Sequence, residues 1–210
     1  MKLFLTSSVS KVAHDIPKHT DLSKGNKLVF IDTAAEPEKG GDITWLIDDR
    51  KALVDAGFDV TDYTITEKKS AELKAFLPKF DYIYLSGGNT LHLLSESYKS
   101  GFIDYVKELV KAGKIYIGTS AGSIITGPFI PEYLRDDTKH SDVENKPSFG
   151  FVNFTVIPHW GSDFFKKEYL GKRLKVAYKT DSVPYVLITD NQYLLVEDDH
   201  FKIIEPKLKT

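Results

Sequence analysis

Lys114-Ile115-Tyr116-Ile117-Gly118-Thr119-Ser120-Ala121-Gly122 runs from a β-branched and aromatic stretch straight into small residues around a serine. Ile and Tyr favour extended backbone, so Lys114–Ile117 is predicted to be a strand. Gly118 and Gly122 then bracket Ser120 at G-x-S-x-G spacing. Small residues there permit a sharp strand-to-helix turn that leaves the serine hydroxyl exposed above the end of a sheet. The same residues also suit a plain Gly/Ser turn in which Ser120 caps the following helix.

Outward from this turn, the first 130 residues alternate between two periodicities. Lys2–Leu5, Lys27–Asp32, Asp59–Ile65 and Asp81–Leu85 read as further strands, each bounded by turn residues. Between them, Ile43–Ala56, Ser70–Phe76, Thr90–Tyr98 and Phe102–Ala112 carry apolar residues at helical spacing, as in Ile103, Val106, Leu109 and Val110. Gly57, Gly101 and Gly113 stand where these helices are expected to stop. Strand–helix alternation implies an α/β fold, a mainly parallel sheet with helices on both faces. No repeat or linker interrupts the chain, so one domain over residues 1–210 is expected.

The last third reads differently. Asn153–Pro158 is predicted to be a strand and Asp163–Tyr178 a lysine-rich helix with Phe164, Leu170, Leu174 and Val176 as its apolar positions. Pro184–Ile188, Tyr193–Val196 and Phe201–Ile204 follow at four-residue intervals, too short for a crossover helix, so they are expected to form antiparallel hairpins. Residues 131–150 read as a long polar surface loop holding Asp136, Asp137, Asp142 and Glu144.

Composition narrows the function classes. Of 210 residues 41% are apolar and 28% charged, enough for a packed core and too apolar for disorder. A net charge of −2 and only three arginines (Arg50, Arg135, Arg173) argue against nucleic acid or an anionic membrane as partner. No stretch approaches the roughly 18 apolar residues of a membrane span, and Met1–Ser8 is far below a signal-peptide core, so a cytoplasmic protein is expected. Cysteine is absent, which removes disulfides, thiolate metal sites and every cysteine nucleophile.

A serine nucleophile needs a base, because its hydroxyl is barely nucleophilic unaided. Of six histidines, His14 and His19 lie in an early polar stretch, His92 inside a helix, His140 in the acidic loop and His200 in a hairpin turn. His159, in Val156-Ile157-Pro158-His159-Trp160, comes at a strand's end, where open α/β sheets gather their ligands. Asp190 follows the strand Pro184–Ile188 in the same way, although it also suits an ordinary turn beside Asn191. Ser86-Gly87-Gly88-Asn89-Thr90 is a second strand-to-helix turn whose N–H groups would suit a developing oxyanion, or would simply punctuate the chain.

With these motifs the chain resembles the dipeptidase E family of serine peptidases (aspartyl dipeptidases), which shares its fold with class I glutamine amidotransferases and counts cyanophycinases among its wider relatives. Leu85–Thr90 is similar to the family's Gly-Gly-Asn-Thr oxyanion loop, Tyr116–Gly122 to its Gly-x-Ser-Ala-Gly elbow, and Pro158-His159 to its Asn-Pro-His motif, with Ile157 in place of Asn. The resemblance implies Ser120 as nucleophile, His159 as general base, and backbone N–H groups near Gly88, Asn89 and Ala121 as the oxyanion hole. Asp190 is the implied third residue where some members carry Glu, with Asp136 or Asp137 as the alternative acid. Arg173 is the implied partner of an N-terminal Asp in a small peptide substrate. No metal or organic cofactor is implied, and a homo-oligomer remains open.

Two other readings compete. A lipase- or esterase-type α/β hydrolase orders its residues as Ser, acid, His, which here would use Asp181 or Asp190 followed by His200. A binding module of the same fold would keep the elbow without reactivity.

Overall fold

A computed structural model describes residues 1–135, 142–180 and 183–207. The strands are β1 (Lys2–Thr6), β2 (Lys27–Ile31), β3 (Asp59–Tyr63), β4 (Tyr82–Leu85), β5 (Ile115–Thr119), β6 (Thr155–Ile157), β7 (Tyr185–Leu187), β8 (Tyr193–Glu197) and β9 (His200–Ile204). The helices are α1 (Val9–Val12), α2 (Thr44–Asp55), α3 (Ser70–Phe76), α4 (Thr90–Ser100), α5 (Phe102–Lys111), α6 (Ala121–Ile124), α7 (Lys166–Glu168) and α8 (Leu174–Thr180).

Seven strands form the main sheet in the order β3-β2-β4-β5-β1-β8-β9. The first five are parallel, and β8 and β9 extend the sheet antiparallel beside β1. Strand alternation splits the apolar residues between two cores. Leu3, Leu5, Ile83, Leu85 and Tyr116 pack with Leu73, Leu94 and Val106 on the face covered by α3, α4 and α5. Phe4, Tyr82, Tyr84 and Ile117 pack with Val12, Leu46 and Leu53 on the face covered by α1 and α2. Each such side chain contributes about 1.5–3 kcal/mol when fully buried. The fold is thus an α/β sheet with helices on both faces and antiparallel C-terminal strands.

One expectation about the last third is corrected and another is refined. The run Pro184–Ile188 does not make a hairpin with the next strand: β7 pairs parallel with β6 in a separate two-stranded sheet. The helical segment between β6 and β7 is the crossover that a parallel pair requires. Residues 189–192 then carry the chain from the small sheet into the large one, where β1 offers β8 a free edge. Only β8 and β9 form the expected hairpin.

The lysine-rich helix expected over Asp163–Tyr178 is present but not uniform: α7, a π-helical turn Tyr169–Arg173 and α8 follow one another without a gap. Gly171, a poor helix former, lies inside the wider turn. The buried face carries Tyr169 and Ala177, while Phe164 and Leu170, expected to be core positions, are 85% and 58% exposed. Within the expected loop 131–150, the described residues Tyr133, Val143 and Phe149 are buried, and the Tyr98 hydroxyl donates to the Pro147 carbonyl at 2.8 Å.

Candidate active site

Three parallel strands end side by side. The registers Thr6↔Thr119 and Leu85↔Gly118 bring Ser7, Ser86 and Ser120 to adjoining places at the carboxyl edge of β1, β4 and β5. The Ser120 N–H donates to the Thr6 carbonyl at 3.1 Å and the Gly122 N–H to the Ser86 carbonyl at 3.2 Å, tying the turn to both neighbours. Its glycines are set by this closeness. A Cβ at Gly118 would stand 2.4 Å from the Gly122 carbonyl oxygen, and one at Gly122 would stand 2.2 Å from that of Leu85.

Ser120 sits at φ 48, ψ −106, a region that side-chain-bearing residues rarely occupy. It precedes α6, but its hydroxyl makes no helix-capping bond. The hydroxyl instead lies 3.0 Å from Nε2 of His159. His159 follows β6 and Pro158, also at positive φ (62), and its other ring nitrogen, Nδ1, lies 2.7 Å from Asp190 Oδ1. The imidazole stacks on Phe165 at 4.5 Å between ring centroids, 17° from parallel. Asp190 occupies the turn after β7, closed by the Gln192 N–H donating to the Thr189 carbonyl at 3.0 Å. Burial pushes its carboxyl up, but hydrogen bonds from His159 and Ser7 outweigh this and hold it below the ordinary carboxylate value.

Ser7 is the residue that sequence reasoning missed. It is fully buried at the end of β1, its hydroxyl donates to Asp190 Oδ1 at 2.6 Å, and it accepts the His159 backbone N–H at 2.7 Å. Its only signal was a place just beyond a parallel strand, shared with many turn residues.

Of the three expected oxyanion donors, the structure corrects one. The Asn89 N–H is spent on the Ala34 carbonyl at 2.8 Å, while its side chain caps α4 by accepting from the His92 N–H at 2.8 Å. Ala121 opens α6, so its N–H belongs to the first turn, which no helix satisfies internally. Gly88 takes φ 120, and its N–H meets no backbone acceptor among the described residues. Beside it, Gly87 leaves room for two neighbours: a Cβ there would stand 3.3 Å from the Trp45 indole and 3.4 Å from the Ser120 Cβ.

Arg173 lies near this array. Its guanidinium is 5.1 Å from the Tyr169 ring centroid, 5.5 Å from that of Phe165 and 5.7 Å from that of Tyr133. Phe165 therefore carries the imidazole and the guanidinium together. The Tyr169 hydroxyl hydrogen-bonds the Pro158 carbonyl, anchoring the lysine-rich helix beside His159.

The other described histidines lie elsewhere. His92 Nε2 pairs with Glu36 at 3.0 Å, His19 with Asp15 at 3.4 Å, and His14 with the Lys207 carbonyl at 3.2 Å. His200 is exposed opposite Glu197 in the β8–β9 hairpin. His140, Asp136, Asp137 and Asp181 lie outside the described residues. Among the described residues, no group of three or more His, Asp or Glu side chains is arranged to hold a metal, and no helix is long and apolar enough to cross a membrane.

A mainly parallel sheet whose carboxyl edge carries a tight serine turn facing an imidazole defines an α/β protein with its candidate site beyond the strand ends. The peptidase family S51 model matches residues 3–204, and the chain belongs to that family and is a peptidase. An uncharacterized peptidase of Listeria monocytogenes is 35% identical over 181 residues, covering 81% of this chain and 86% of that one. Peptidase E of Streptomyces coelicolor is 30% identical over 186 residues, 85% of this chain and 71% of that one. Among solved structures, a putative peptidase E from Listeria monocytogenes superposes with a TM-score of 0.85 at 28% identity, covering 98% of each chain. A peptidase from an acI-B1 actinobacterium shares the fold, with a TM-score of 0.70 at 17% identity over 98% of this chain and 87% of that one.

Proposed function

We propose that this peptidase is of the serine type and cleaves small peptides through an acyl-enzyme on Ser120. The observation that carries the reading is the hydrogen-bonded series Ser120 Oγ, His159 Nε2, His159 Nδ1, Asp190 Oδ1, with separations of 3.0 Å and 2.7 Å. Ser120 Oγ attacks the scissile carbonyl as Nε2 takes its proton. The imidazolium returns that proton to the leaving amine, and a water activated by the same nitrogen releases the acyl group. Asp190 holds the imidazole in the tautomer that presents a lone pair to Ser120. The Ala121 and Gly88 N–H groups stabilise the oxyanion, a contribution of several kcal/mol in enzymes of this kind.

The substrate class follows from Arg173. Its cation sits on aromatic rings beside the imidazole and, among the described residues, forms no ion pair with a carboxylate, which suits it to receive the side chain of an N-terminal Asp. The reading is therefore an Asp-Xaa dipeptidase. A dipeptide panel varied at the N-terminal residue, run on wild type and Ser120→Ala with a fluorophosphonate label as second readout, tests it. Loss of both activity and labelling in Ser120→Ala is expected; a variant that retains most of its peptidase activity overturns the mechanism. Activity on esters alone would favour the general hydrolase, and an unlabelled wild type the silent binding module.

A further inference from the structure

The hydroxyl of Ser7 has one proton to give and three polar atoms within reach: Asp190 Oδ1 at 2.6 Å, the His159 backbone N at 2.7 Å and His159 Nδ1 at 3.2 Å. The backbone N–H is a donor, so Ser7 Oγ accepts there. The proton then goes to one of two acceptors, the carboxylate or the ring nitrogen. The carboxylate is closer and charged, and hydrogen bonds to charged acceptors are the stronger kind. With the Ser7 proton on Asp190, Nδ1 keeps its own proton and donates it to the same carboxylate oxygen at 2.7 Å. Nε2 is left with a lone pair facing Ser120. Had the Ser7 proton gone to Nδ1, the ring proton would sit on Nε2, and the imidazole could accept nothing from Ser120.

We propose that Ser7 is a positioning residue that holds the His159 backbone and aims the Asp190 carboxylate at its ring, an inference resting on the Ser120–His159–Asp190 hydrolysis proposed above. It acts in two ways. By accepting the His159 N–H it fixes the backbone that holds the imidazole at positive φ. By donating to Asp190 it keeps its own proton away from Nδ1 and aims the carboxylate at the ring. Ser7 is separated from His159 by 152 positions and from Asp190 by 183, so the arrangement exists only because β1 ends beside both.

The arrangement carries an unusual consequence for double variants. In Asp190→Ala the Ser7 hydroxyl loses its carboxylate, and Nδ1 at 3.2 Å is the acceptor that remains. Donation to Nδ1 fixes the inactive tautomer. Removing Ser7 as well frees the ring to populate both tautomers. Ser7→Ala/Asp190→Ala should therefore turn over faster than Asp190→Ala, by about fivefold or more, although Ser7→Ala alone lowers kcat about 10- to 100-fold with KM little changed.

The experiment measures kcat and KM for wild type, Ser7→Ala, Asp190→Ala and the double variant, with thermal melts on each. Nitrogen-15 histidine spectra of the resting proteins accompany them. The expected result is sign reversal in the cycle, and a His159 spectrum that passes from the Nδ1–H tautomer in wild type to the Nε2–H tautomer in Asp190→Ala and to a mixture in the double variant. A double variant slower than Asp190→Ala, or Ser7→Ala with unchanged kcat, or one and the same spectrum for Asp190→Ala and the double variant, overturns the proposal. The spectra report on the resting ring, so they decide the role of Ser7 at His159 even if Ser120→Ala shows that another group is the nucleophile.

Discussion

Ser120 and His159, hydrogen-bonded at 3.0 Å, are both held at positive φ, 48° and 62°. Such backbone costs on the order of 1–3 kcal/mol per residue and persists only where the surroundings over-determine it. Here they do. The Ser120 N–H is bound to the Thr6 carbonyl, and the His159 N–H to the Ser7 hydroxyl. The end of β1 thus restrains both strained residues, and both strains point their side chains at one another.

Asp190→Asn keeps the size of the side chain but can donate to Nδ1, favouring the ring tautomer with its proton on Nε2. We expect kcat to fall by about 10³- to 10⁴-fold with little change in melting temperature. Steady-state kinetics with a melt as control will check this, and a fall of less than tenfold would move the orienting acid elsewhere.

Arg173→Gln should distinguish substrates. A hydrogen bond to a charged group contributes roughly 1.5–3 kcal/mol, so kcat/KM for Asp-Xaa dipeptides should fall about 10- to 100-fold. Dipeptides with a neutral N-terminal residue should change little. Equal losses on both would mean that the guanidinium serves only to pack Phe165 and Tyr169.

Gly88→Ala tests the second loop. A Cβ there would stand 2.2 Å from the Ala34 carbonyl oxygen, and φ is 120° besides. The loop must shift, at a cost of roughly 2 kcal/mol or more, and should carry the Gly88 N–H with it. Urea denaturation and kcat should both report the loss; a variant normal in both would show that the loop adapts freely.

Asp49 predicts a pH effect on stability away from the site. It is 2% exposed, accepts from the Tyr84 hydroxyl at 2.8 Å and from the Ser10 N–H at 3.0 Å, and burial pushes its carboxyl up to about 6. Between its ordinary value of 3.8 and about 6 the folded protein binds more protons here than the unfolded chain, so this group's contribution falls as pH rises through that window. Asp49→Asn should flatten that fall. Melting temperatures at intervals from pH 4 to 7 will show it, and parallel curves for the two proteins would refute the assignment.

The sheet was legible because its strands alternate cleanly between two cores, as Leu3, Phe4 and Leu5 do. The pairing of β7 was not, because four residues suffice either for a hairpin or for a step into another sheet, and the choice rests on β1 offering an edge. The helix after His159 was legible, but its buried face was not, because Phe164 and Leu170 keep helical spacing while facing solvent and the stretch around Gly171 winds as a π-helical turn. Ser120, His159 and Asp190 stood out by following predicted strands. Ser7 follows one too, but Thr6-Ser7-Ser8 has no sequence feature that separates it from an ordinary bend. The commitment of the Asn89 N–H to Ala34 depends on a segment more than fifty positions earlier, beyond any local pattern.

The four groups at the proposed centre come from positions 7, 120, 159 and 190, and β8, the strand that follows the last of them, pairs directly with the first strand of the chain. A fragment that stops before Asp190 lacks the last of these four groups, however well its earlier strands have assembled. On the proposed reading the centre therefore closes late, once the strand that follows Asp190 has found the edge of β1.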